Sequence, residues 1–200
     1  MFLRSSPPSP FGRKVKIAAA ILGLSDKIEI VATDTIDPTD TIRQLNPLGK
    51  IPALITDDGK VIYDSRVIVE YLDLLAGGGR IIPQGAARVD TLVLQALADG
   101  IMDACILQMY ERRFRDEDRR EAKWIDHQQG KVDRGLAELE KQDVPLHATP
   151  LIGEIALACA LGYLDLRFEG TWRATHPRLV AWLDRFAAAV PSFEKTRVTA

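Results

Sequence analysis

The chain has 200 residues, of which 46% are hydrophobic and 27% charged, with a formal net charge of −2. That is the composition of a globular protein with room for one or two compact domains, and it lacks the positive excess that would draw nucleic acid or an anionic membrane. No apolar run approaches the ~20 residues of a membrane helix, and MFLRSSPPSP contains no apolar leader segment, so the expectation is a soluble, cytoplasmic protein.

In chain order, FLRS reads as a first strand and SPFGRKVKIAAAIL as the start of a helix from Pro10 to about Leu24. Ser9 before Pro10 is the pattern of an N-cap followed by proline at the first helical position, and Phe11, Val15, Ala18 and Leu22 form an apolar stripe. IEIVA at 28–32 reads as a second strand. PALIT at 52–56 and KVIY at 60–63 form a hairpin through Asp57, Asp58 and Gly59. A second helix follows at 65–75, with Ile68, Tyr71, Leu72 and Leu75 as its stripe. Three glycines at 77–79 and Pro83 mark a domain boundary, because such a run costs too much backbone entropy inside an element. The rest reads as helix over about 86–114, 118–142, 151–168 and 177–190. RRFRDEDRREAK mixes both signs of charge, as a solvated helix face does, and Thr149-Pro150 is a candidate cap for the helix at 151. The expected organisation is an α/β unit over 1–76, a linker over 77–85 and an all-helical unit over 86–200.

Cys105 and Cys159 lie in apolar helical patterns and read as core thiols. His127, His147 and His176 have no metal-ligand spacing, so no metal is expected. Three stretches carry chemistry. At the first helix, the initial turns hold Arg13, Lys14 and Lys16 where stability alone favours Asp or Glu, so that helix end is expected to favour an anion beside the Ser9 hydroxyl. The bland alternative is that Ser9 only caps and the cations face solvent or pair with carboxylates elsewhere. In NPLGKIPAL, a cis Ile51-Pro52 bond would leave the N–H and C=O of Ile51 facing outward to pair with a peptide-like ligand. In YDSRVIVEYL, Asp64 and Ser65 stand at a helix N-terminus, where they cap and could also hold an ammonium group and a carboxylate.

SPFGRKV, NPLGKIPAL and YDS, in this order before a helical half containing LADGIMDA, EIALACALGYLDLR and HPRLVAWLDRF, resemble the cytosolic glutathione transferases, and bacterial serine-type members most. The resemblance implies a thioredoxin-like α/β N-terminal domain, an all-α C-terminal domain, and a homodimer that binds glutathione and a small hydrophobic electrophile. It implies detoxification as the setting, with glutathione as co-substrate and no prosthetic group, nucleic acid or membrane as partner. It casts Ser9 as hydrogen-bond donor to the glutathione thiolate, Pro52 as a cis-proline, and Ile51 as the partner of the cysteinyl backbone. Asp64 and Ser65 would take the γ-glutamyl head group, with Lys50 near the glycyl carboxylate. Asp99 and Asp103 could face the dimer cleft, or be ordinary polar helix positions. Met102, Ile106, Met109 and Tyr110 could line the electrophile pocket, or be core. The same likeness covers non-catalytic binding or structural relatives, and glutathione-dependent lyases or ether-cleaving enzymes.

Overall fold

The structure, a computed structural model, describes residues 1–198. Its first half is built on four strands, β1 (Phe2–Ser5), β2 (Glu29–Ala32), β3 (Ala53–Ile55) and β4 (Val61–Ile62), in the order β2-β1-β3-β4. β1 pairs with β2 in parallel and with β3 antiparallel, and β3 pairs with β4 antiparallel. Three helices belong to this half: α1 (Pro10–Ile21), the short α2 (Ile42–Leu45) and α3 (Ser65–Leu75). Leu3 and Leu54 on the sheet and Val15, Ile17, Ala18, Ile68 and Leu72 on α1 and α3 are fully excluded from solvent. Burial of this kind is the main driving force holding helix to sheet.

The second half is helical: α4 (Ala86–Phe114), α5 (Ala122–Lys141), α6 (Ile152–Arg167), α7 (Pro177–Ala189) and α8 (Pro191–Lys195). A small mixed-sheet domain followed by a helical domain is the architecture expected from the sequence. α6 is buried along nearly its whole length, which is why its sequence is apolar on all sides. Two of its glycines allow close packing. A Cβ on Gly153 would sit 2.6 Å from the Thr91 carbonyl of α4, and one on Gly162 would sit 2.5 Å from Arg13 Nη1 of α1. One hydrophobic cluster therefore runs from the sheet through α1 into α4, α6 and α7. α4 contains an 18-residue window of mean hydropathy 1.4, long and apolar enough to span a membrane by composition. Here it packs against α5 and α6 and carries the buried Asp99.

Several boundaries differ from the sequence reading. The first helix stops at Ile21 because Gly23 turns to φ 73°, and a 3₁₀ turn at Ser25–Lys27 follows. The helix expected from 118 begins at Ala122, capped by Glu121, whose side chain accepts from the Lys123 N–H. The start of α6 departs in a more informative way. Thr149 is exposed and does not cap; Leu151 occupies the N-cap position, and Glu154 accepts from the Leu151 N–H at 3.0 Å and from the backbone and ring nitrogens of His147. The hydroxyl that a local Ser or Thr would supply comes from Thr91 on α4, whose Oγ1 accepts from the Gly153 N–H at 3.0 Å. The connection between the halves is also held: the buried Asp73 accepts from the backbone N–H groups of Gly79, Arg80 and Ile81 at 2.8, 3.0 and 2.8 Å.

Candidate functional site

Sheet topology decides which loops meet. β1 and β4 run the same way and β3 runs against both, so the C-terminal ends of β1 and β4 share an edge with the N-terminal end of β3. Arg4 pairs with Ala53 and Leu54 with Ile62, which sets Pro52 beside the end of β1 and beside the chain leaving β4. The Ser9 loop, Ile51-Pro52 and Asp64-Ser65 all leave the sheet at this edge. The Ile51-Pro52 peptide is cis, and so is Tyr63-Asp64. Neither the N–H nor the C=O of Ile51 has a hydrogen-bond partner among the described residues. The approach to Ile51 is shaped by the buried Asn46, whose Nδ2 donates to the Lys50 carbonyl at 2.9 Å and whose Oδ1 accepts from the Leu48 N–H. Lys50 itself is exposed.

Ser9 is the N-cap of α1, and its Oγ accepts from the Gly12 N–H at 3.1 Å. With that acceptor role filled, the hydroxyl proton remains to be donated outward. The Phe11 N–H is also without a partner among the described residues. Ser5 is removed from any such role: it is 1% exposed and packed so tightly on α1 that a Cβ at Gly12 would stand 2.1 Å from its Oγ.

The basic residues of α1 do not serve the helix end as the sequence reading expected. Lys14 is fully buried and donates to both carboxylate oxygens of Asp99, at 2.7 and 2.9 Å. Arg13 turns to the C-terminal segment, donating to the Phe193 carbonyl at 2.6 Å and Thr196 Oγ1 at 3.2 Å. Lys16 is half-buried, and burial first, then the Arg13 charge, lowers its pKa. The side chains follow the helical periodicity toward α4, α6 and α8, so at the Ser9 hydroxyl itself the positive character is that of the α1 amides, with Arg13 on the wall of the adjoining cavity.

Asp64 caps α3, with Oδ1 accepting from the Arg66 N–H at 3.0 Å. Ser65 is buried, and neither its N–H nor its hydroxyl has a partner among the described residues. Arg66, which the sequence reading passed over although it follows the motif directly, donates from Nε to Asp99 Oδ2 at 3.1 Å. Asp99 is thus neither an ordinary polar position nor open to a partner subunit: it is fully buried and joins α1 to the start of α3 through two cations. One turn on, Asp103 is exposed, yet partial desolvation by its neighbours raises its pKa and the Asp99 charge adds to this, while Arg66 and Lys50 oppose it and Asp64 adds a smaller upward push. Lys50, Asp64 and Arg66 are thus charges felt by Asp103, and all four residues are exposed.

A cavity of 350 Å³ opens beside Ser9, walled by Pro8, Ser9 and Arg13 from the first domain and by Gly162, Tyr163 and Leu166 of α6, with residues 193–198 closing one side. Met102, Ile106, Met109 and Tyr110 are not among its walls; Met102 is fully buried. Both cysteines are buried, with burial pushing Cys105 up to about 12 and Cys159 up to about 11, so neither is a reactive thiol. No cluster of metal-ligating side chains exists among the described residues.

A mixed four-stranded sheet whose edge gathers a serine-capped helix, a cis-proline and a second capped helix, followed by a helical domain, defines a protein with a thioredoxin-like first domain joined to an all-α second one. Residues 8–75 match the glutathione S-transferase N-terminal domain family and residues 122–185 match the C-terminal domain family. The GST-like protein YibF of Escherichia coli, itself uncharacterized, is 32% identical over 98% of both chains. A glutathione transferase family member from Pseudomonas fluorescens, crystallised with bound glutathione, is 42% identical with a TM-score of 0.92, covering 100% of this chain and 99% of that one. A crystal structure of the same description with S-(propanoic acid)-glutathione is 41% identical with a TM-score of 0.89 and covers 100% of both chains. The chain belongs to the glutathione S-transferase family.

Proposed function

We propose that the chain is a glutathione transferase that stabilises the thiolate of bound glutathione for attack on a small hydrophobic electrophile. The observation that carries this reading is the Ser9 hydroxyl: its oxygen is occupied by the Gly12 N–H while its proton is free, at a helix N-terminus, on the edge that also holds Ile51, Asp64 and Ser65. The thiolate is the nucleophile, and a thiol near neutral pH is mostly protonated. A donor aimed at the charged form and a positive helix end lower its pKa. Ser9 Oγ–H donates to the sulfur, with the Phe11 N–H beside it, and forms no bond to the substrate. Carbon–sulfur bond formation then expels the leaving group with its electron pair, or adds the sulfur to an activated double bond, the carbanion so formed taking a proton from water.

The remainder of the tripeptide is assigned by chemistry. The N–H and C=O of Ile51, before cis-Pro52, pair with the cysteinyl backbone as an added strand would. Ser65 supplies its N–H and hydroxyl to the γ-glutamyl carboxylate. Asp64, with one oxygen left over from capping, takes the ammonium group. Lys50 reaches the glycyl carboxylate. The glutathione seen in the related Pseudomonas fluorescens structure, and the S-conjugate in the other, support this site. We further assign residues 1–76 to glutathione binding, 77–85 to the connection and 86–200 to the electrophile side, in a cytoplasmic detoxification setting with no prosthetic group. A homodimer is supported by the exposed apolar face of Val67 and Leu74 on α3 and Val89 and Val93 on α4, which the Arg88–Glu70 ion pair at 2.6 Å ties together. Analytical ultracentrifugation tests that assembly, and a monomer at micromolar concentration would refute it.

The deciding experiment compares wild type with Ser9→Ala. Turnover of an aromatic halide is expected to fall by about 100-fold, as for loss of one donor to a developing or bound anion, with glutathione affinity within a few-fold of wild type. Unchanged turnover in the variant removes Ser9 from this role. Glutathione binding without turnover of any electrophile would make the chain a binding protein of the same fold.

A further inference from the structure

The cavity beside Ser9 holds a charge that the transferase reading leaves without a task. Arg13 is 8% exposed, yet no carboxylate lies within 4.0 Å of its guanidinium among the described residues. Its hydrogen bonds go to neutral acceptors, the Phe193 carbonyl from Nη2 and Thr196 Oγ1 from Nε, and its Cζ lies 4.1 Å from the centroid of the Phe193 ring. Nη1 makes no hydrogen bond among the described residues, and it lies where a side chain on α6 would stand had that position not been Gly162. Burying a guanidinium without a counter-charge is costly, and desolvation is the leading influence on Arg13, lowering its pKa.

The other charges around the cavity are accounted for. Asp165 is held by Arg173 at 2.6 Å and Glu194 by Arg197 at 3.0 Å, while Asp184 is exposed to water. None of the three lining carboxylates comes within 4.0 Å of Arg13, so the buried charge inside that lacks a partner among the described residues is the Arg13 guanidinium. Ser9 and Arg13 are four residues apart at the start of α1, linked by the Arg13 N–H to the Ser9 carbonyl at 2.9 Å, and both line the same cavity. A molecule with its reacting carbon at a sulfur held by Ser9 has this guanidinium within reach of its far end.

We propose that Arg13 is a specificity-determining residue, and that the electrophiles taken by this cavity are organic anions: small apolar molecules bearing a carboxylate that pairs with the Arg13 guanidinium. This rests on the transferase reading for the meaning of the cavity. The recognition itself can be measured without turnover. Arg13 supplies a charge-assisted hydrogen bond in a site largely shielded from water, which discriminates a carboxylate from its neutral amide.

The test uses two S-conjugates of glutathione that differ only at one end, S-(4-carboxybenzyl)glutathione and S-(4-carbamoylbenzyl)glutathione, titrated calorimetrically into the full chain beside glutathione itself. The wild type is expected to bind the carboxylate about tenfold or more tightly than the amide. Arg13→Gln is expected to abolish that preference while leaving the affinities for glutathione and the amide conjugate within about twofold, and Arg13→Lys to restore part of it. Equal binding of the two conjugates by wild type overturns the proposal whether or not the variants fold. In that case retained glutathione binding leaves the transferase reading intact, whereas failure to bind glutathione or either conjugate removes both. Turnover of 4-chloro-3-nitrobenzoate and its methyl ester, each divided by its uncatalysed rate with glutathione, gives a second readout. There the thiolate forms the carbon–sulfur bond at the ring and chloride departs with the electron pair. A wild-type preference for the ester would also overturn the proposal.

Discussion

Replacing Asp99 with asparagine tests the junction between the two halves of the molecule. The carboxylate is fully buried between the equally buried Lys14 and the start of α3. Asp99→Asn preserves shape and one acceptor oxygen but leaves the Lys14 ammonium inside the protein with no counter-charge. Breaking such a pair by removing one partner costs about 3 to 5 kcal/mol, a large share of the roughly 5 to 15 kcal/mol by which a typical fold is stable. The Arg66 contact adds little to this, because 56% of that side chain is exposed and water screens it. With a urea m-value of about 2 to 3 kcal/mol/M, the unfolding midpoint should fall by about 1 to 2.5 M, followed by tryptophan fluorescence and far-UV circular dichroism together. The double replacement Lys14→Met/Asp99→Leu removes both charges and should recover most of the loss, because hydrophobic substitutes for a buried ion pair are often neutral or better. A single-variant midpoint within about 0.2 M of wild type, or a double variant as unstable as the single one, would refute the reasoning.

Two further outcomes follow from the same site. Gly12→Ala puts a methyl 2.1 Å from Ser5 Oγ and should destabilise by about 1 to 3 kcal/mol while lowering turnover, because the Gly12 N–H orients Ser9. Adding Ser5→Ala should restore part of both in melting and activity assays, because the Ser5 Cβ still stands 3.3 Å from the new methyl, and an unaffected single variant would contradict the packing. Asp103→Asn should stabilise the protein at pH 7. The folded-state pKa of Asp103 is raised by partial desolvation and by Asp99, so its ionisation costs stability above that pKa, an effect kept small because the residue is exposed and water screens it, and the cost disappears as pH falls toward the unfolded value of about 3.9. The gain should therefore shrink as melts are repeated down to about pH 4, and a gain of equal size at both ends would refute the assignment.

What the sequence revealed and what it hid divide along the range of the interactions. Val15, Ala18 and Leu22 are buried as the stripe on α1 required, and Ser9 and Asp64 cap the helices they precede, because these are properties of a few neighbouring residues. Leu75 read as part of the α3 core stripe yet is 46% exposed, while Val69 is buried in its place, since α3 is apolar on more than one face and periodicity alone does not rank them. The cations of α1 were visible as residues, but their partners Asp99 and Phe193 lie 85 and 180 positions away, and no local pattern reports such a distance. The missing serine or threonine at the start of α6 is the same lesson, because its substitute is Thr91 on another helix.

The three backbone bonds drawn in by Asp73 have a bearing on how anything enters the molecule. A glycine-rich joint suggests two lobes that swing apart, but here the strand of chain between them is clasped at its root, and the shared hydrophobic interior has no seam at that point. Admission to the space beside Ser9 then falls to the side chains around its mouth, since the turn after Pro191 is itself pinned by the Arg13 bonds to the Phe193 carbonyl and Thr196 Oγ1.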